Sequence, residues 1–191
     1  MLPVAKKVIV IGSSTGGVEA VDKVLSQLPV TVPPILIVQH MPPGITKLFA
    51  TRLNTAHAVA VKEAEDGDQL VQGQVLIAPA GKHMKVVHRL GKLFIELFVG
   101  EKVQYVMPSA DVLFESVAEI FGRNAIGVIL TGMGADGARG LKKMRDAGAK
   151  TIGQNKETCV IYGMPKVAFE MGAVEHQLPI NAIADKIMRL V

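Results

Sequence analysis

A chain of 191 residues suits one domain around one core; at 49% hydrophobic, 4% aromatic and without tryptophan, that core must be built from Val, Ile, Leu, Ala and Met. The 21 basic and 17 acidic residues leave a net charge of +4, a mild surplus that suits an acidic partner as readily as a plain solvated surface. The basic residues are dispersed, with no interleaved aromatics for stacking on bases, which argues against nucleic acid as a partner.

In chain order, Lys6 and Lys7 come too early, and the apolar run after them is too short, for a secretory signal. That run, Val8-Ile9-Val10-Ile11, ends at Gly12 and reads as a strand buried on both faces of a parallel sheet. Val18, Val21, Val24, Leu25 and Leu28 then recur at helical spacing until Pro29 stops the pattern. Ile35 to Val38 is a second buried strand, followed by a helix from about Pro43 to Asn54. This βαβα opening implies a right-handed crossover and a doubly wound α/β fold, a mainly parallel sheet with helices on its faces. The middle section changes character. Val59 and Val61, Val75 to Ile77, Met84 to Val87, and Leu93 to Phe98 are short strand-like pieces, and Leu90-Gly91-Lys92 reads as a hairpin turn. Some antiparallel pairing is expected there, as a small flap on the main sheet. The βα rhythm then resumes. Ser109 or Asp111 caps a helix through about Phe121, Ile126 to Leu130 forms a third buried strand, and a helix runs from about Gly137 to Ala147 with Gly148 as its stop. Lys150 to Gln154 is a short strand, and about Asn181 to Leu190 an amphipathic helix. The lone Cys159, beside Val160 and Ile161, reads as a small core residue; without a partner it forms no intramolecular disulfide, which suits a reducing cytoplasm. No apolar run approaches the roughly 18 residues of a membrane span, so no membrane insertion is expected.

Functional groups in an open parallel sheet gather at the C-terminal ends of its strands. Three such ends carry unusual chemistry: Gly12-Ser13-Ser14-Thr15-Gly16-Gly17, Gln39-His40-Met41-Pro42-Pro43-Gly44, and Thr131-Gly132-Met133-Gly134-Ala135-Asp136-Gly137. Ser14 sits at the centre of a G-x-S-x-G spacing, where small neighbours allow a sharp strand-to-helix turn that presents a hydroxyl. On this loop alone, three readings stand side by side: a hydrolase nucleophile, a non-catalytic anion or nucleotide site at the helix terminus, and a plain helix cap. Dinucleotide binding is disfavoured because Ser14 stands where the fingerprint needs glycine, and a phosphate-binding P-loop lacks its Gly-Lys-Ser/Thr ending. His40 favours the hydrolase, because a serine hydroxyl needs a base with a pKa near the working pH. Asp136 is suited to accept the His40 ring N–H and hold its tautomer, although an aspartate there also suits a helix N-cap. The other histidines, His57, His83, His88 and His176, read as surface residues, with His83 in Gly81-Lys82-His83-Met84 the one to watch. No histidine or cysteine spacing suits a metal, and Asp66-Gly67-Asp68 reads as a solvated turn. No cofactor is expected.

Together these three loops resemble the catalytic domain of the bacterial chemotaxis protein-glutamate methylesterases, the CheB family. The resemblance extends to Ala78-Pro79-Ala80-Gly81-Lys82-His83-Met84, Pro108-Ser109-Ala110-Asp111-Val112-Leu113-Phe114 and Val160-Ile161-Tyr162-Gly163-Met164-Pro165, in the right order over essentially the whole chain. It implies a doubly wound α/β domain acting in the cytoplasm in chemotaxis adaptation, with methyl-accepting chemotaxis receptors as its protein substrate. Methyl esters on receptor glutamates would be hydrolysed with release of methanol, and some family members also deamidate glutamines. It maps the nucleophile, base and carboxylate of a catalytic triad onto Ser14, His40 and Asp136, and oxyanion or substrate contacts onto Thr15 and Met133. The order Ser, His, Asp differs from the Ser, Asp, His of α/β-hydrolases, so the G-x-S-x-G match reflects local geometry rather than that fold. Family members usually have Gly-Ala-Ser where this chain has Ser13 before Ser14. They also normally carry an N-terminal receiver domain, whereas residues 1–191 read as a single catalytic domain that begins at its first strand.

Overall fold

The computed structural model describes residues 5–191, and its first strand rises directly from the apolar run. β1 (Val8–Ser13), β2 (Ile35–Gln39), β3 (Ala60–Glu63) and β4 (Gln74–Ile77) alternate at first with α1 (Gly17–Leu25) and α2 (Ile45–Ala56). A hairpin of β5 (His83–Arg89) and β6 (Lys92–Phe98) follows, then α3 (Ala110–Phe121), β7 (Ala125–Ile129), α4 (Ala138–Asp146), β8 (Lys150–Gln154), α5 (Met164–Glu170), β9 (His176–Leu178) and α6 (Ile180–Leu190). Seven strands form one sheet in the order β3-β4-β2-β1-β7-β8-β9, and every pairing in it is parallel.

The central strands are apolar at every position because both faces are covered. In β1, Val8 and Val10 join one core cluster while Ile9 and Ile11 join the other, all fully buried. The period-two alternation of a strand sends them to opposite faces. Helices α1, α2 and α6 cover the Ile9 face through Val21, Val24, Phe49, Leu53, Ile183 and Ile187. Helices α3, α4 and α5 cover the Val8 face through Leu113, Phe114, Leu141, Met144 and Ala168, joined by Met84, Val86 and Ile95 of the hairpin. Each fully buried aliphatic side chain contributes about 1.5–3 kcal/mol relative to exposure, so β1 and its neighbours are the mechanical centre of the molecule.

Several sequence expectations change. The middle section does hold the expected antiparallel hairpin, but as a separate sheet rather than a flap on the main one, while β3 and β4 join the main sheet in parallel. Among the strands of the described residues, β5 and β6 alone form an antiparallel ladder, a separate two-stranded sheet packed on α3. Their turn, Leu90-Gly91, has positive φ at both positions (50° and 74°), which matches the twist of a two-residue hairpin. Helix α1 stops at Leu25 rather than running to Leu28, although Leu28 remains buried. The short elements α5 and β9, of seven and three residues, carry too little periodicity to be seen in the sequence. Cys159 is half-buried in a loop rather than in the core.

The chain leaves β1 toward β2 and later returns to β7 on the other side of β1, so the strand order reverses between β1 and β7. Such a reversal point, at the C-terminal ends of the strands, is the usual place for chemistry in these sheets.

Candidate functional site

Register brings the first two loops together. Ser13 pairs with Gln39, so Ser14 and His40 leave adjacent strands at the same level. The His40 N–H donates to the Ser13 carbonyl at 3.1 Å, and the Ser14 N–H donates to the Thr131 carbonyl of the loop after β7 at 3.0 Å. Ser14 is thus flanked by β2 on one side and β7 on the other. Gly132 makes this approach possible. A Cβ there would lie 2.8 Å from Ser14 Cβ, and it would also strike the Met164 sulfur.

The two serines have different surroundings. Ser13 is fully buried and its hydroxyl donates to Gln39 Oε1 at 2.6 Å. The Gln39 side-chain amide in turn donates to the Ser14 carbonyl (2.9 Å) and the His40 carbonyl (3.0 Å). Ser14 is half-buried, and its hydroxyl makes no hydrogen bond among the described residues. In the sequence Gln39 stands only as the first residue of the Gln39–Gly44 motif. Its position at the end of a buried strand was the available signal, because a polar side chain there must find partners.

His40 and Asp136 meet directly, with Nε2 and Oδ2 2.7 Å apart. A carboxylate can only accept, so Nε2 carries the hydrogen and Nδ1 is left to take a proton. Asp136 was expected either to orient His40 or to cap the helix after it. It contacts His40, but the helix it caps is a different one. Gly137 is the N-cap of α4, while Asp136 accepts the Ala110 N–H (2.7 Å) and the Asp111 N–H (3.1 Å) at the start of α3. The expected caps, Ser109 and Asp111, make no side-chain cap bond to their own helix. The Ser109 hydroxyl instead donates to Asp136 Oδ1 at 2.6 Å. The start of α3 reaches Asp136 because Gly12 has no side chain; a Cβ on it would lie 2.9 Å from Ala110 Cβ.

Asp136 is nearly fully buried. Burial alone would raise its pKa, but the His40, Ser109 and backbone donors outweigh it and hold the carboxyl below the usual range. The neighbouring Asp111 is also fully buried, and there burial wins and pushes its pKa up. One Asp111 oxygen accepts the Gly140 N–H at 2.7 Å, and the other has no hydrogen-bond partner.

Thr15 follows Ser14, Met133 follows Gly132, and both side chains are exposed. The backbone N–H of neither is engaged by another described residue. Thr131 and Gln154 support this rim and were not singled out from the sequence. The Thr131 hydroxyl receives the Ile161 N–H (3.0 Å) and faces the Thr15 carbonyl (3.0 Å), while Gln154 Oε1 accepts the Thr131 N–H at 2.8 Å. Two of the histidines read as surface residues are not. His83 is 1% exposed, and the His57 side chain is largely buried with its Nε2 3.1 Å from Asp22. Burial pushes the half-buried Cys159 thiol up to about 11, away from the thiolate form. Among the described residues no group of three His, Cys, Asp or Glu side chains could hold a metal ion, and no helix is long and apolar enough to cross a membrane.

The molecule is a doubly wound α/β domain in which the strand-end loops carry an imidazole–carboxylate pair (His40–Asp136) and, one strand over at the same level, the half-buried Ser14. The CheB methylesterase family model matches residues 9–187, and the chain belongs to that family. It is 55% identical over 186 residues to the protein-glutamate methylesterase/protein-glutamine glutaminase of Agrobacterium fabrum, covering 97% of this chain and 53% of that protein. To protein-glutamate methylesterase/protein-glutamine glutaminase 1 of Rhizobium johnstonii it is 54% identical over 187 residues, 98% of this chain and 54% of the relative. The chain therefore spans about half the length of these curated relatives. It is also similar to the crystal structure of the Thermotoga maritima CheB methylesterase catalytic domain, with a TM-score of 0.95 and 44% identity over 97% of this chain and 98% of the other.

Proposed function

We propose that residues 1–191 form a catalytic unit that hydrolyses methyl esters on glutamate side chains of chemotaxis receptors in the cytoplasm, releasing methanol, with Ser14, His40 and Asp136 as its triad. The observation that carries this reading is the 2.7 Å His40–Asp136 pair, with the half-buried Ser14, its hydroxyl unengaged, leaving the adjacent strand at the same level. The names of the relatives support the substrate class, and their second activity supports deamidation of receptor glutamines by the same acyl chemistry.

In the mechanism, His40 Nδ1 takes the Ser14 proton as Oγ attacks the γ-ester carbonyl. The oxygen of the tetrahedral intermediate is received by the N–H groups of Thr15 and Met133, and a donor of this kind is typically worth about 10²–10³-fold in rate. His40 returns the proton to the leaving methoxide, so methanol departs and a Ser14 acyl ester remains. Water then attacks that ester with His40 again as base, releasing the glutamate carboxylate and the Ser14 hydroxyl. Asp136 stays ionised throughout, orients the ring and stabilises the imidazolium. The test is methanol release from methylated receptor. Ser14→Ala is expected to lower the rate by roughly 10³-fold or more, and Ser13→Ala to leave it within a few-fold. The reverse pattern would assign the nucleophile to Ser13 and overturn the reading.

A further inference from the structure

We propose that Ser109, held in place by His83, is a positioning residue for this reaction: its hydroxyl anchors Asp136 and through it sets the basicity of His40. The inference rests on the triad reading above. Ser109 is the N-cap of α3, with extended backbone (φ −115°, ψ 134°). A serine there ordinarily turns its oxygen back to accept an N–H of its own helix. Here Asp136 already occupies the N–H groups of Ala110 and Asp111, and the Ser109 hydroxyl donates to Asp136 Oδ1 instead. Each oxygen of Asp136 therefore receives two donors. Oδ1 takes the Ser109 hydroxyl and the Asp111 N–H, and Oδ2 takes His40 Nε2–H and the Ala110 N–H.

His40 shares one buried charge with three other donors. Removing the Ser109 hydroxyl leaves Oδ1 with the Asp111 N–H alone, at 3.1 Å. More of the charge then acts on His40, so its imidazolium is better stabilised and it holds a proton more tightly. The ionisable groups facing Asp136 are His40 and the Asp111 carboxyl, with Arg139 3.9 Å behind Asp111 and Glu115 paired to Arg139. Neither carboxyl can donate in its ionised form, and Arg139 is spent on Asp111 and Glu115, so none takes over the role of Ser109.

His83 fixes the backbone of Ser109. Its Nδ1 accepts the Ser109 N–H at 3.2 Å and its Nε2 faces the Glu101 carbonyl at 2.9 Å. An N–H can only donate and a carbonyl can only accept, so these neighbours select the neutral ring with its hydrogen on Nε2. The Phe98 ring, with its centroid 5.4 Å away, packs beside it. The hairpin and the start of α3 are thereby locked together one residue from the groups that hold Asp136.

The experiment is an NMR titration of the His40 ring in the intact chain, paired with the pH profile of kcat/KM on methylated receptor. In Ser109→Ala the His40 pKa and the acid limb are expected to move upward by roughly half a unit to one unit, with KM changed by less than about twofold. Ser109→Cys, a weaker donor of similar size, should fall between. His83→Asn retains an acceptor near Nδ1 and should keep the wild-type limb, whereas His83→Gln retains only the Nε2 side and should follow Ser109→Ala. A merely structural role would lower the amount of active protein and leave the limb in place. If His40 titrates identically in wild type, Ser109→Ala and Ser109→Cys while Asp136→Asn shifts it, the proposal is overturned and the esterase reading stands. If Asp136→Asn alters neither titration nor rate, the triad itself is wrong and this proposal falls with it.

Discussion

Replacing Gln39 with leucine tests how the two halves of the site are joined. Gln39 is 2% exposed and makes three hydrogen bonds, to the Ser13 hydroxyl and to the carbonyls of Ser14 and His40. Leucine fills a similar volume and removes all three. The Ser13 hydroxyl, fully buried, then has no acceptor in place of Gln39. A buried unsatisfied polar group costs about 1–3 kcal/mol, and each ordinary hydrogen bond lost about 0.5–1.5 kcal/mol. The half-buried carbonyls of Ser14 and His40 can turn to water, so the expected loss is about 2–4 kcal/mol. In a protein of this size that lowers Tm by roughly 5–15 °C. Because Gln39 also ties Ser14 to His40, a shift of about 1 Å between them should lower kcat by about 10²-fold with a smaller change in KM. Urea unfolding and methanol release measure the two effects separately. Ser13→Ala in the Gln39→Leu background removes the orphaned hydroxyl and should recover about 1–2 kcal/mol, a coupling typical of residues in contact. If Gln39→Leu melts like wild type, or if Ser13→Ala makes it less stable still, the three-way clamp does not exist.

Asp111→Asn should stabilise the fold by about 1–3 kcal/mol near neutral pH, because it removes a fully buried negative charge whose Oδ2 has no hydrogen bond and meets only the exposed Arg139, 3.9 Å away. Asp111 holds its proton more tightly when folded than when unfolded, so it costs stability only above the ordinary carboxyl range. The gain measured by urea unfolding should therefore shrink as pH falls toward about 4; a gain that grows in acid would contradict the raised pKa. Gly132→Ala places a methyl against Ser14 Cβ and N, which are held by backbone and cannot swing away. It should reduce kcat at least about 10²-fold, and a variant with wild-type kcat would show that the loops carrying Ser14 and Gly132 can move apart freely. With its thiol pushed up to about 11 by burial, Cys159 should react with iodoacetamide at pH 7.5 at least about 10²-fold more slowly than an unperturbed thiol. Mass spectrometry over time reads this directly, and rapid labelling would contradict the burial.

Much of the fold was legible because it is written in local patterns. The run Val8 to Ile11 could be nothing but a doubly covered strand, and the helical spacing around Val21 and Val24 set its partner. The three strand-end loops, and with them Ser14, His40 and Asp136, stand out because small and polar residues interrupt apolar runs where a parallel sheet gathers its chemistry. The fate of the middle section was not legible. Strands as short as β3 and β4 carry no sign of direction, and their parallel pairing depends on which edge of the sheet remains open.

By itself, then, the sequence determined the α/β class, the helices and buried strands, and which three loops carry reactive groups, since these follow from periodicity and residue chemistry. Only the tertiary structure decided which hydroxyl is spent and which remains available, that Asp136 caps α3 instead of the helix following it, and that His83 is enclosed rather than solvated. The physical reason is that a buried donor or acceptor must be satisfied by whatever group the fold brings near. Here the partners lie 26 residues apart for Ser13 and Gln39 and 96 for His40 and Asp136, separations at which local preference carries no information.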